Sequence, residues 1–93
     1  MKETTISYKI RKYLEGEGYI VIRLRATSEA GWPDLLVIAF MRIVFIETKT
    51  PIGKLSELQK EKHFRLKLKG IKTIVASSID DVERFNQQAK WKR

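Results

Sequence analysis

Residues 34–39 and 43–48 read as two consecutive strands, and their spacing constrains everything around them. Leu35-Leu36-Val37-Ile38 and Ile43-Val44-Phe45-Ile46 are apolar at consecutive positions. Strands apolar on both faces are covered on both faces, which predicts a sheet with helices on each side. A hairpin centred between Phe40 and Met41 would pair residues whose numbers sum to 81. Asp34 then faces Glu47. Because side chains alternate, Glu47 and Lys49 project from one face. Opposed residues on one face have Cβ atoms roughly 5 Å apart. Two carboxylates at that distance repel unless a proton or a cation holds them together. A hard divalent cation with oxygen ligands is the natural occupant. The register is the vulnerable joint. Phe40-Met41 lacks the Gly or Asn that tight turns prefer, which predicts a loop wider than two residues. A slip of one residue would send Asp34 and Glu47 to opposite faces.

Composition narrows the chemistry. The 93 residues contain no cysteine and one histidine. Disulfides, thiolate zinc sites and histidine-rich metal sites are excluded. A metal would be held by Asp and Glu oxygens, which favours magnesium or manganese. The formal charge is +8, a balance that fits a polyanionic partner. No window approaches the ~20 apolar residues of a membrane span, and Met1-Lys2-Glu3-Thr4 has no apolar signal region. The expectation is a cytoplasmic protein with one domain over 1–93, an ordered core over about 3–89 and a basic tail.

The remaining elements follow in order. Ile6, Ile10, Tyr13 and Leu14 recur at helical spacing over about Glu3 to Glu15, with Gly16 and Gly18 as the stop. Tyr19–Leu24 reads as a strand. Ser56 with Gln59 forms a capping-box pattern for a helix ending near Lys69-Gly70. Leu55, Leu58 and Leu66 share one stripe of that helix. Phe64 and Leu68 form a second apolar patch, which suits either burial on two sides or an interface with another subunit. Thr73–Ala76 is a fourth strand, parallel to the third through a right-handed crossover. Ser78 and Asp81 start a last helix. The order is α-β-β-β-α-β-α around a four-stranded mixed sheet.

Gly31-x-Pro33-Asp34, Glu47-x-Lys49, and Gly53-Lys54-Leu55-Ser56 leading to Gln59 together resemble the VRR-NUC family of virus-type replication-repair nucleases, within the PD-(D/E)xK superfamily. The resemblance runs from Glu3 to about Phe85. It implies a restriction-endonuclease-like α/β fold, with helices on both faces of the sheet. It implies a Mg²⁺- or Mn²⁺-dependent DNA endonuclease acting on Holliday junctions or flaps in replication and repair, in a bacterial or phage-infected cell. Asp34, Glu47 and the Thr48 carbonyl would hold the metal, with Glu3 matching the helical glutamate that completes such sites. Lys49 would position the attacking water, and Gln59 matches the glutamine of the following helix.

Each residue also has a plainer role. Asp34 can serve as a turn residue, Glu47 and Lys49 as a strand-end pair, Gln59 as a cap, and Glu3 as a first-turn acid favoured by the helix dipole. His63, one turn beyond Gln59, reads as a helix-surface histidine. Arg23, Arg25, Lys54 and Lys60 are the expected phosphate contacts. Trp32 suits either a base-stacking or a wedge role. Lys60, Lys62, Arg65, Lys67 and Lys69 surround the middle helix, about half of them as solvated face. A homodimer on branched DNA is the expected assembly. A non-catalytic nucleic-acid-binding module, or a nuclease subunit needing a partner, is the alternative.

Overall fold

The computed structural model describes residues 2–24 and 29–89. Helix α1 spans Glu3–Gly16, β1 Ile20–Arg23, β2 Leu35–Ala39, β3 Arg42–Thr48, α2 Glu57–Leu68, β4 Lys72–Ala76 and α3 Ile79–Ala89. The sheet order is β1-β2-β3-β4. Its first two pairings are antiparallel and β3–β4 is parallel. This is the expected α/β topology of a four-stranded mixed sheet with helices.

Ile6, Ile10 and Leu14 lie on one side of α1 and are almost completely buried. They meet Leu35, Val37, Val44, Ile46 and Ala76 of the sheet and Val82 of α3. Burial of this contiguous apolar set is the main favourable contribution to folding. Both α1 and α2 end in the same way. The Tyr19 amide donates to the Leu14 carbonyl and that of Gly18 to Glu15, while Ile71 donates to Leu66 and Gly70 to Lys67. Gly18 and Gly70 occupy the left-handed conformation at φ 95° and 81°. Each end is therefore a Schellman motif, which satisfies the last carbonyls and turns the chain into the next strand. Ser56 and Gln59 form the expected capping box at the start of α2.

The β2–β3 register pairs Leu35 with Ile46, Val37 with Val44 and Ala39 with Arg42. Every pair sums to 81. The wider loop expected between them is not formed. Phe40 and Met41 make a two-residue turn, with Met41 at φ 62° supplying the left-handed position without glycine.

Two further expectations are corrected. The sheet is not fully covered on its second face: Ile20, Ile22, Ile43 and Val75 are exposed. The packing of α2 against the sheet is on β4, so the β1 end of that face lies beyond it. Nor does α2 bury an apolar stripe. Its one buried residue is Lys62. Of the expected stripe, Leu58 is exposed and Leu55 and Leu66 are only half-buried. Phe64 and Leu68 are exposed, which agrees with the interface alternative for that patch. Arg25 and the basic tail from Lys90 lie outside the described residues.

Candidate active site

The site forms where β2 begins and β3 ends. Continuing the observed register by one step sets Asp34 across from Glu47. The Thr48 amide donates to Asp34 Oδ2 at 2.9 Å, and the Thr48 hydroxyl donates to the same oxygen at 2.5 Å. The Asp34 carbonyl accepts the Leu24 amide, tying this corner to β1. Asp34 thus bridges the ends of three strands.

Gly31 sets the approach to that corner. Its φ is 97°, and a Cβ there would lie 2.7 Å from the Leu58 carbonyl oxygen. The 29–34 loop therefore lies directly on the α2 backbone, a contact only glycine permits. Pro33 is fully buried beside it. Lys62, also buried, reaches Glu29 at 3.4 Å and Glu61 at 3.1 Å, with its ammonium 5.3 Å from the Trp32 ring centroid. The Arg65 guanidinium lies 5.5 Å from the same ring. Trp32 is engaged by cations of its own chain, and its visible role is to fasten the loop to α2. Sequence reasoning missed Lys62. Nothing local distinguishes it from the lysines on either side.

Glu47 is 1% exposed on the α2 side of the sheet. Gln59 Nε2 donates to its Oε2 at 3.2 Å, so the capping glutamine has a second partner. Its Oε1 lies 3.9 Å from His63 Nε2, and neither atom has a hydrogen-bond partner. Burial and the neighbouring Asp34 push the Glu47 carboxyl from 4.5 up to about 8, with Lys49 opposing. Burial, then Lys49, lowers the His63 imidazole below its ordinary value. His63 is consequently neutral at neutral pH. Lys49 is largely buried and approaches Glu3 Oε2 at 4.0 Å. Asp34, Glu47, Lys49, Glu3, Gln59 and Thr48 are thus brought together, and His63 joins them.

A buried carboxylate with one orphaned oxygen, facing a second carboxylate, is unstable as an ionised pair unless a cation is supplied. The donor set fits magnesium or manganese in this respect. Among the described residues, no three His, Asp or Glu side chains close a metal shell by themselves. Magnesium commonly takes one or two carboxylates and keeps several waters, which matches Asp34 and Glu47 with the Thr48 carbonyl.

The expected phosphate contacts are dispersed. Arg23 lines an open cleft of about 340 Å³ together with Glu3, Ser7, Tyr8, Arg11 and Asp34. Lys54 is exposed on the loop after β3, and Lys60 pairs with Glu57 at 3.4 Å on the surface of α2. No described helix is long and apolar enough to cross a membrane.

No family model and no curated protein matches the sequence. The fold matches a solved VRR_NUC domain with a TM-score of 0.81 and 26% identity, over 91% of this chain and 94% of that one. A second solved structure, a VRR_NUC domain protein, matches in fold with a TM-score of 0.75 and 24% identity, over 95% and 87% of the two chains. Agreement across nearly the full length of both chains, joined to the Gly31-x-Pro33-Asp34 and Glu47-x-Lys49 pattern at the two strand ends, gives this chain the fold of VRR_NUC nuclease domains and supports a VRR-NUC family assignment.

Proposed function

We propose that the chain is a metal-dependent endonuclease that hydrolyses phosphodiester bonds in DNA, selecting branched or flapped structures. The observation that carries this reading is the buried Glu47 carboxyl with an unpartnered oxygen, set beside Asp34 and Lys49. Asp34 and Glu47 hold Mg²⁺ or Mn²⁺ with the Thr48 carbonyl, and Glu3 approaches from α1. The bound metal supplies Lewis-acid polarisation and lowers the pKa of coordinated water. The Lys49 ammonium orients the attacking water and offsets charge developing on the phosphate. Gln59 holds the Glu47 carboxylate in place through Oε2. Thr48 fixes Asp34 through Oδ2. The net charge of +8 favours a nucleic-acid backbone as the polyanion.

A second copy of the chain is the proposed partner. The uncovered sheet face carries Ile20, Ile22 and Ile43, and α2 exposes Phe64 and Leu68. A strongly basic chain can self-associate through such a face without opposing like charges. A light-scattering mass equal to the monomer at high concentration removes this part of the reading.

The test is cleavage of labelled duplex, flap and four-way-junction DNA with Mg²⁺ or Mn²⁺. Asp34→Asn and Lys49→Ala should abolish cutting while leaving DNA binding largely intact. Equal cutting by wild type and both variants would reject the assignment. Metal-independent binding with no cleavage would identify a non-catalytic binding module, or a subunit that needs a partner.

A further inference from the structure

The cleft on the α1 side of the site contains groups that the proposed hydrolysis does not use. Glu3, Ser7, Tyr8 and Arg11 line one wall from successive turns of α1. Arg23 and Leu24, at the end of β1, line the other, and Asp34 and Thr48 close the catalytic end. At 1.5 Å per residue, Glu3 to Arg11 spans about 12 Å of helix. A cavity near 340 Å³ is at the small end of ligand sites. It has room for a nucleotide or two of one strand and none for a duplex.

Two side chains in this cleft have unspent binding capacity. Arg11 Nε is shielded from water and has no hydrogen-bond partner. Its Nη1 reaches Glu15 at 3.6 Å, which leaves Nε unanswered. A shielded donor without an acceptor is costly, so a turn of the guanidinium that brings its fork to a phosphate oxygen in the cleft is favoured. Tyr8 is 54% exposed, although Arg11 and Lys12 lie 5.5 and 5.6 Å from its ring centroid. An exposed aromatic ring among cations is the arrangement that stacks unpaired bases. Trp32, the other aromatic near the site, also lies beside two cations, Lys62 and Arg65, but it is less exposed and does not line this cleft.

Resting on the nuclease reading above, we infer that this cleft binds an unpaired DNA strand leading to the scissile phosphate. Tyr8 stacks one of its bases, and Arg11, with Arg23 opposite, holds its backbone. The substrate therefore carries a single-stranded segment next to the cut, as at a flap or an opened branch point, and a fully paired duplex leaves the Tyr8 platform unused.

Binding is measured without divalent metal on a blunt duplex and on the same duplex carrying a short unpaired tail with 2-aminopurine. Wild type should bind the tailed DNA more tightly and change the 2-aminopurine fluorescence through stacking. Tyr8→Ala should lower affinity for the tailed DNA about tenfold and remove the fluorescence change, while duplex affinity stays within about twofold. Tyr8→Phe should retain both properties. Arg11→Gln should weaken binding to tailed DNA and flatten its salt dependence, and Arg11→Lys should recover part of the loss. Equal losses on both DNAs, or no loss for Tyr8→Ala, would overturn the proposal. If the tail preference and its Tyr8 dependence hold while Mg²⁺ and Mn²⁺ support no cleavage, the nuclease reading fails and the strand cleft stands. If cleavage occurs without any tail preference, the reverse is true.

Discussion

Thr48 donates both its amide and its hydroxyl to a single oxygen of Asp34, at 2.9 and 2.5 Å. Thr48 is buried and Asp34 half-buried, so water competes with these bonds only from the Asp34 side. Thr48→Val preserves shape and the amide bond but removes the hydroxyl donor. A hydrogen bond to a charged group contributes about 1.5–3 kcal/mol. The valine variant should lose about 2 kcal/mol in urea denaturation and cut DNA about tenfold more slowly, because Asp34 gains freedom to turn. Thr48→Ser should recover the cutting rate. Wild-type cleavage by Thr48→Val would show that Asp34 is held by other means.

Glu47 makes the metal-free fold sensitive to pH. Its folded-state pKa is raised to about 8 from 4.5. Between these values the folded chain keeps a proton that the unfolded chain releases, so stability falls as pH rises through the window. His63 acts in the opposite sense below 6.5, because its folded pKa is lowered. From pH 6.5 to 8 the Glu47 effect stands alone. Thermal melts without metal should therefore lose stability across that range, by a few kcal/mol at most. Glu47→Gln should remove the slope, stabilise the metal-free protein at pH 8 and abolish cleavage. Added Mg²⁺ should raise the melting temperature more at pH 8 than at pH 5. A flat melting profile for wild type would mean that Glu47 is ionised in the fold without a cation.

The corner formed by Asp34 and Glu47 was legible because its signals lie in consecutive strands. The runs Leu35–Ile38 and Ile43–Ile46 are apolar at every position, and Asp34 and Glu47 are equidistant from the turn. The Ser56–Gln59 cap was legible because capping is local. The burial of Lys62 was not, since it depends on Glu29 and Trp32 arriving from a loop about 30 residues earlier. Tyr8 and Arg11 read as ordinary helix surface until β1 places Arg23 opposite them. Two-sided hydrophobicity in β2 and β3 implied two-sided cover, but it cannot report how far a 12-residue helix extends across a sheet.

Gly31 is the position least tolerant of a side chain. Its φ of 97° is unfavourable for other residues, and its added Cβ would meet both the carbonyl oxygen and the carbonyl carbon of Leu58, at 2.7 and 2.8 Å. Neither backbone atom can rotate away. Gly31→Ala should destabilise the fold by about 2 kcal/mol or more and push Asp34 off the Glu47 register. Cleavage should fall further than the unfolded fraction alone accounts for. A variant with wild-type melting temperature and rate would show that the loop can lift from α2 at no cost.

Met41 carries the opposite prediction. It holds the left-handed position of a two-residue turn at φ 62° and is 86% exposed. A non-glycine residue there costs about 1–2 kcal/mol, while glycine adds roughly 0.5–1 kcal/mol of unfolded-state entropy. The difference favours glycine, and little packing is lost. Met41→Gly should stabilise the fold by about 0.5 kcal/mol, or a few degrees in melting temperature. Met41→Val should destabilise it, because a β-branched side chain fits φ > 0 poorly. The turn lies a full strand length, roughly 17 Å, from Asp34 and Glu47, so neither change should alter cleavage by the folded protein. A lower melting temperature for Met41→Gly would show that the exposed methionine makes contacts that outweigh its backbone strain.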